Sequence, residues 1–311
     1  MKLRTEIERI PLSRPIDRGE GIMLLGSCFT DHIGQWLSDA WLPVMCNPYG
    51  VLFNPASIAN TLLRLLSNDL YLPVLHEHDG RYYSFDHHGK WSGSDADALT
   101  QQLIDLETAA RTFLSSARHL IITFGTSWVY EREGSIVANC HKFPSSEFTR
   151  RKLSVDEIVE QWSQVIEAFT SLQSMQQATP HFTFTVSPIR HVKDTLHGNQ
   201  LSKATLLLAI EELQQRYPAQ VQYLPVYELF MDDLRDYRFY ADDLVHPSSM
   251  AIEMVKGLFV ECAMTPAMQQ FMHDAAPIVR ALQHKPSDPD APQYKIFLEE
   301  TLKKKEKLLR R

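Results

Sequence analysis

Short segments rich in apolar residues recur along the chain, and longer segments separate them. The runs occupy residues 22–25, 119–124, 182–186 and 221–226. Short segments in which apolar residues predominate are typical of strands that are buried on both faces of a sheet. We therefore expect a core sheet built from segments that are far apart in the chain.

The segments between these runs have apolar residues at every third or fourth position, which predicts amphipathic helices. One of them begins with the pattern Ser154 to Glu157, which is typical of a capping box. The predicted helices span residues 30–41, 56–66, 97–117, 154–173, 199–216, 248–262 and 265–283. Buried strands that alternate with helices predict an α/β protein, namely a three-layer α/β/α sandwich around a parallel sheet.

The pattern changes near position 263, and we expect the domain boundary there. Residues 1–263 form the predicted α/β domain, with an irregular insertion at about 71–95 that contains a hairpin turn at 78–80. Residues 264–311 form a helical C-terminal extension, in which a Pro- and Asp-rich linker at 285–292 precedes a basic helix at 294–311. That basic helix is either a solvated surface helix or a surface for homo-oligomerisation.

Composition narrows the class of protein. The 311 residues are 44% hydrophobic and 22% charged, with a net charge of -7 and a pI of about 6.0. An acidic chain is a poor partner for nucleic acid, and we expect none. The first residues have no apolar signal segment and no run is long enough to span a membrane, so we expect a cytoplasmic protein without a membrane partner.

Cysteine and histidine spacing predicts neither a metal site nor a disulfide framework. The four cysteines form no CxxC pair, and four histidines between positions 76 and 88 are irregularly spaced. No Walker pattern and no helix-opening GxGxxG occur, so we expect no cofactor.

The first candidate for chemistry is Ser27, which follows the first predicted strand and precedes the first predicted helix. Ligands of open parallel sheets bind at the carboxyl ends of the strands, and a helix N-terminus favours developing negative charge. An acyl-transfer nucleophile needs these conditions. Considered alone, Ser27 could equally be a turn or N-cap residue, and the adjacent Cys28 is an alternative nucleophile at the same position.

The second candidate is the pair Asp243 and His246, which lies between the last predicted strand and a helix. A serine nucleophile needs a base, and the base needs a carboxylate that orients it. A spacing of three residues allows one turn to direct both side chains to the same point. Alone, the pair could be a salt bridge or a partial metal site; combined with Ser27 it favours a catalytic triad.

Several motifs together resemble the GSCFA family, which is similar to the GDSL/SGNH hydrolases. They are Gly26-Ser27-Cys28-Phe29, the segment 47–55, Phe124-Gly125-Thr126-Ser127-Trp128, the segment 139–142, Ser187-Pro188-Ile189-Arg190-His191, and the segment 243–247. The first departs from the family name only at Thr30, which replaces Ala. The resemblance implies a flavodoxin-like, SGNH-type sheet with the nucleophile near the N-terminus and the Asp–His pair near the C-terminus.

The resemblance also implies an oxyanion hole with a Gly after the second strand and an Asn after the third. Gly50 matches the first position, whereas the second carries Ser127 in a Gly-Thr-Ser sequence. We expect Ser127 or another polar side chain to replace the missing amide. The further candidates for oxyanion or substrate binding are Asn139, His141, Arg190 and His191. The guanidinium of Arg190 would suit a substrate carboxylate or phosphate.

These observations predict a serine esterase that acts on an O-acylated carbohydrate or another small polar ester. Water would then release the acyl group from Ser27. Two alternatives remain: an acyltransferase that delivers the acyl group to a sugar hydroxyl, and a non-catalytic carbohydrate- or ligand-binding module on an SGNH scaffold, which the missing Asn motivates.

Overall fold

The computed structural model describes residues 4–67, 69–173 and 180–310. The strands of these residues are β1 (Gly21–Gly26), β2 (Val44–Cys46), β3 (His76–His78), β4 (Arg81–Tyr83), β5 (Ser92–Gly93), β6 (Ala117–Phe124), β7 (Trp128–Arg132), β8 (Ser135–Val137), β9 (Thr149–Lys152), β10 (His181–Val186) and β11 (Val221–Tyr223). The helices are α1 (Cys28–Asp39), α2 (Pro55–Leu66), α3 (Ala96–Ser116), α4 (Val155–Gln173), α5 (Thr195–Arg216), α6 (Val226–Glu228), α7 (Ser249–Ala263), α8 (Pro266–Gln283) and α9 (Pro292–Leu309).

The central sheet contains five parallel strands in the order β11-β10-β6-β1-β2. Numbered along the chain within that sheet, the order is 2-1-3-4-5, which is the doubly wound arrangement of flavodoxin-like folds. From β1 the chain first adds β2 on one side and then returns to add β6 on the other, so the strand order reverses between β1 and β6. A crevice therefore opens between the carboxyl ends of these two strands.

Successive side chains of β1 enter two separate cores, which explains why the run at 22–25 is apolar at every position. Met23 and Leu25 of β1 belong to the core cluster that packs under α2, α3, α4 and α5. Ile22 and Leu24 belong to the opposite cluster, which packs against α1, α7 and α8. The predicted three-layer α/β/α sandwich is confirmed.

Two small antiparallel sheets lie outside the central one. The sheet β3-β4-β5 lies within the segment predicted as irregular, and its first two strands form the expected hairpin, with positive φ at Asp79 and Gly80. The sheet β8-β7-β9 was not predicted, because its strands are short and mostly half-buried. Its strand β7 follows β6 after three residues, Gly125 to Ser127, so it stands at the carboxyl edge of the central sheet.

The C-terminal part differs from its prediction in detail. The predicted strand 221–226 ends at Tyr223, and Val226 begins α6, because Pro225 cannot donate a hydrogen bond to a neighbouring strand. Helix α8 packs on the α1 and α7 side of the sheet through Met268 and Phe271. Helix α9 begins at Pro292, two residues before its predicted start; position 311 of that prediction lies outside the described residues.

Among the helices of the described ranges, none combines the length and the apolar character that a membrane span requires.

Candidate functional site

A cavity of about 780 Å³ opens at the carboxyl edge of the central sheet. The residue that follows each of three strands lines it: Ser27 after β1, Gly125 after β6 and Ser187 after β10. His246, from the loop before α7, lines the same cavity. The cavity thus occupies the point at which the winding of the sheet reverses, where doubly wound folds bind their ligands.

Ser27 is the N-cap residue of α1, yet its side chain does not cap the helix. Its backbone is extended and its carbonyl accepts the N–H of Thr30 at 2.8 Å. The side chain is 2% exposed, and Oγ has no hydrogen-bond partner among the described residues. A buried hydroxyl without a partner is unfavourable for folding, and this one lies at the wall of the cavity.

The turn before Ser27 requires glycine. Gly26 has a φ of +146°, and a Cβ there would lie 2.4 Å from the carbonyl oxygen of Thr123. The N–H of Gly26 donates to Oδ1 of Asn47 at 2.8 Å, and Nδ2 of Asn47 donates to Asp31 of α1 at 2.6 Å. Strand β1, the loop after β2 and helix α1 are thereby held together around the serine.

Asp243 and His246 are joined directly. Nδ1 of His246 donates to Oδ2 of Asp243 at 2.5 Å, and Oδ1 accepts the backbone N–H groups of Val245 and His246, each at 2.9 Å. These two backbone groups, that of His246 first, together with the imidazole hold the pKa of Asp243 at about 2. The carboxylate is therefore ionised at neutral pH and fixes the tautomer in which Nε2 of a neutral His246 is an acceptor.

Backbone hydrogen bonds close the loop that holds this pair. The N–H of Ala241 donates to the carbonyl of His246 at 2.8 Å, and Tyr240 and Pro247 form an antiparallel bridge. Leu244 has a φ of +58°, which is uncommon for a residue other than glycine. This conformation turns the loop tightly enough for Asp243 and His246 to meet across three residues.

Ser27 and His246 face one cavity without a hydrogen bond between them, since Oγ of Ser27 has no partner within the described ranges. Asp243 is absent from the residues that line the cavity and contacts it only through His246. Catalytic hydrogen bonds are often formed only when substrate is bound, so the arrangement remains compatible with a triad.

Two predicted oxyanion donors are elsewhere. Gly50 does not line the cavity, and its N–H already donates to the carbonyl of Asn47 at 2.8 Å. Its φ of +82° serves that turn. Ser127 is fully buried away from the cavity, where its Oγ donates to Oγ of Ser202 at 3.1 Å. The structure therefore does not support either residue as an oxyanion donor in this conformation.

Two asparagines that line the cavity have donor capacity. Asn54 caps α2 with Oδ1, and its Nδ2 uses one of its two hydrogens on Oγ of Ser57 at 3.0 Å. Asn139, a predicted candidate, accepts the N–H of His141 at 2.8 Å through Oδ1, which leaves its amide nitrogen to donate. Asn54 was missed because the sequence pattern placed the expected amide after the third strand.

His141 does not line the cavity, contrary to its predicted role. Its side chain stacks on Tyr83 with ring centroids 4.8 Å apart, and Nε2 donates to the carbonyl of Ser84 at 2.8 Å. Burial lowers the pKa of His141. It joins the 139–143 loop to the small sheet β3-β4-β5, which is a structural function.

Arg190 and His191 both line the cavity, and their binding of substrate stays a prediction. Nη2 of Arg190 donates to Oη of Tyr240 at 3.3 Å, and the guanidinium lies 5.2 Å from the centre of that ring. His191 donates from Nε2 to the carbonyl of Gly125 at 3.0 Å. Burial first, then the nearby Lys203 charge, lower the pKa of His191.

An aromatic wall of the cavity was not predicted. Trp128 and Tyr130 lie on the same face of β7, and Arg150 of β9 is the cross-strand partner of Tyr130. The Arg150 guanidinium lies 4.2 Å from the Trp128 ring centre and pairs with Asp194 at 2.5 Å. The aromatic residues that line the cavity are Phe53, Trp128, Tyr130, Phe143 and Phe148. The alternating pattern of 128 and 130 was the available signal.

A polar stripe on α5 was also missed. Nζ of Lys203 donates to the carbonyls of Gly125 and Ser187, each at 2.6 Å, and the side chain is almost completely buried. Burial lowers the pKa of Lys203 to about 7. Ser202 binds the N–H of Ser127 at 2.8 Å, and Asn199 accepts the N–H of His191 at 3.0 Å.

Cys28 is a weak alternative to Ser27. It lines the cavity, but burial, aided by the charge of Asp31, raises the pKa of its thiol. Reactive cysteines have a lowered pKa, because the thiolate is the nucleophile. Among the described residues, no three histidine, cysteine or carboxylate side chains are grouped so that they could hold a metal ion.

Comparison with known families gives two matches. The model of the GSCFA family matches residues 21–259, and that of the GSCFA domain protein, C-terminal domain, matches residues 275–311. No curated protein matches the chain. The first match includes Ser27, Asp243 and His246 and covers more than half of the sequence. The chain therefore belongs to the GSCFA family.

Proposed function

We propose that this protein is a serine esterase in which Ser27 attacks the ester, His246 is the general base and Asp243 orients the base. The observation that most supports this proposal is the contact of 2.5 Å between Nδ1 of His246 and Oδ2 of Asp243, in a loop whose histidine faces the same cavity as Ser27. This contact holds Nδ1 of the imidazole toward the carboxylate, which leaves Nε2 to accept the proton of Ser27.

In the proposed reaction, Nε2 of His246 takes the proton from Ser27 as Oγ attacks the ester carbonyl. The oxyanion forms near the N-terminus of α1, where the backbone N–H of Ser27 and the amide of Asn54 or Asn139 are the candidate donors. Collapse of the tetrahedral intermediate expels the alcohol, which takes the proton from His246. His246 then takes a proton from water as the water oxygen attacks the acyl-enzyme. The bond between the acyl carbon and Oγ of Ser27 breaks, the carboxylic acid leaves, and Oγ takes the proton back from His246.

The substrate class that we propose is an O-acylated carbohydrate or a related small polar ester. Aromatic side chains such as Trp128 and Tyr130 can stack on a sugar ring, while Asn139 and Arg190 can bind its polar groups. The same acyl-enzyme would serve an acyltransferase if a sugar hydroxyl replaced water. Product analysis with and without sugar acceptors distinguishes these two reactions.

A fluorophosphonate probe, which reacts with activated serines, tests the nucleophile. We expect the wild-type protein to be labelled and Ser27→Ala to remain unlabelled. Ser145→Ala is a matched control, because Ser145 also lines the cavity and has no predicted catalytic role. A wild-type chain that stays unlabelled, under conditions in which known serine hydrolases react, would sink the proposal and favour the binding module.

A panel of aryl and sugar esters with acyl groups from acetyl to longer chains tests the reaction itself. Turnover that Ser27→Ala abolishes and Ser145→Ala retains is the expected result. Turnover that survives in Ser27→Ala would assign the activity to another residue or to a contaminant.

A further inference from the structure

Positive charges outnumber negative charges among the described residues that line the cavity. Those that line it within the described residues are Arg150, Arg190, Lys193 and Asp194, which are three cations and one carboxylate. Asp194 is 5% exposed and pairs with Arg150 at 2.5 Å. Asp194, the only carboxylate among the described residues that line the cavity, is thus already paired. Arg190 and Lys193 remain without a carboxylate partner among these residues.

Arg190 is the better placed of these two. It follows β10 by four residues, and its side chain is half-buried over the ring of Tyr240. One Nη2 hydrogen bond of 3.3 Å, to the neutral Oη of Tyr240, holds it; no ion pair to a carboxylate forms within the described ranges. A guanidinium has five N–H donors, so most of the fork remains available.

Lys193 lies close to the same wall. Its Nζ donates to Oη of Tyr130 at 3.3 Å and also has no carboxylate partner in the described part of the chain. Five aromatic side chains line the cavity, and an apolar environment strengthens the attraction between a guanidinium and an anion. The planar fork of arginine matches the two oxygens of a carboxylate or phosphate.

We infer that the ligand of this cavity is anionic: the ester carries a carboxylate or a phosphate monoester, which Arg190 binds while the acyl group lies at Ser27. This inference rests on the proposed function only where it calls the ligand an ester. In the carbohydrate class proposed above, the substrate is then an O-acylated acidic or phosphorylated sugar.

Calorimetric binding to the full-length Ser27→Ala protein tests the inference without any need for turnover. The probes are naphthoate, naphthyl phosphate and the neutral naphthamide, which share one aromatic body. We expect at least one of the anions to bind about tenfold more tightly than the amide, as charge-assisted hydrogen bonds allow. The comparison of the two anions distinguishes a carboxylate from a phosphate.

Arg190→Gln, made in the same background, should abolish that preference. Arg190→Met is a second variant with the same expectation, since its chain still covers the Tyr240 ring. The matched control is Arg216→Gln, because Arg216 pairs with Glu212 on α5 and does not line the cavity. Equal binding of the amide and both anions, or a preference that persists in a folded Arg190 variant, would overturn the inference.

The two proposals fail in different ways. Anion preference at Arg190 without fluorophosphonate labelling of the wild type would overturn the esterase and leave the anion site standing. Labelling of Ser27 without anion preference would overturn only the anion site.

Discussion

Nδ1 of His246 donates to one oxygen of Asp243 at 2.5 Å, while the other oxygen of that carboxylate accepts two backbone N–H groups. The two backbone hydrogen bonds hold the carboxylate in place, and the carboxylate in turn holds the imidazole. Since the pKa of Asp243 is held at about 2, the carboxylate stays ionised throughout the range in which a histidine base works.

Asp243→Asn should lower the rate of fluorophosphonate labelling and of ester turnover about 10⁴-fold, because the amide favours the wrong histidine tautomer. The fold should persist, which circular dichroism checks. Asp242→Asn is the matched control, because Asp242 is the exposed neighbour and no hydrogen bond or ion pair joins it to His246 within the described residues. If Asp243→Asn kept wild-type rates, Asp243 would not be the orienting acid.

Ser27→Ala should raise the free energy of unfolding by about 1 kcal/mol while it abolishes labelling. The hydroxyl is buried and has no partner within the described part of the chain, so its removal relieves a desolvation penalty. Urea denaturation measures the difference. A less stable Ser27→Ala protein would mean that Oγ makes a stabilising contact in solution.

Ser202→Ala is the contrasting variant. Its hydroxyl binds the N–H of Ser127 and the hydroxyls of Thr126 and Ser127. We expect a loss of about 1–3 kcal/mol, because these buried groups lose their partner. Together the two variants separate a serine kept for chemistry from one kept for structure.

Gly26→Ala should destabilise the protein by at least about 2 kcal/mol, since the φ of +146° is strained for alanine and the new Cβ would lie 2.4 Å from the carbonyl oxygen of Thr123. Gly257→Ala is the control. No atom lies within 4 Å of its added Cβ, and the position is inside α7, so a gain of about 0.5–1 kcal/mol is expected. Equal melting temperatures of both variants would contradict the close contact at Gly26.

Lys203 should make the stability depend on pH. Burial lowers the pKa of Lys203 from 10.5 to about 7 in the folded protein. Below pH 7 both states bind the proton, whereas between about pH 7 and 10.5 the unfolded chain binds more protons, so folding stability rises with pH. The difference in unfolding free energy between wild type and Lys203→Met should therefore grow by up to about 1.4 kcal/mol per pH unit across that window.

Urea denaturation at several pH values measures this difference. Lys303→Met, a change on the exposed surface of α9, should give a difference that is independent of pH. A constant difference for Lys203→Met as well would show that Lys203 keeps an ordinary pKa.

The local pattern of the sequence was sufficient for the central elements. The run at 22–25 and the helix that follows it were predicted because a strand buried on both faces is apolar at every position, and β1 places alternate residues in two cores. Ser27, Asp243 and His246 were identified by the order strand, serine, helix and by a short spacing. These are properties of residues close together in the chain.

Hydrogen bonds near the cavity that join distant segments of the chain could not be predicted in the same way. Asn199, Ser202 and Lys203 continue the buried face of α5, as spacings of three and four residues suggest, but their partners are carbonyl and N–H groups after β6 and β10. Every residue has a backbone carbonyl, so the sequence does not indicate which carbonyls a side chain will bind. From the sequence alone, Lys203 therefore cannot be distinguished from a lysine on the surface.

The sequence by itself determined the alternation of strands and helices, the membership of Ser27 in a strand-to-helix turn, and the Asp–His turn, since each depends on local periodicity and short spacing. Only the tertiary structure decided which polar groups face the cavity. Gly50, Ser127 and His141 do not line the cavity, because their donors are used in turns and packing. The aromatic wall around Trp128 lines it and was not predicted. The reason is that hydrogen bonds over long chain separations are chosen by packing.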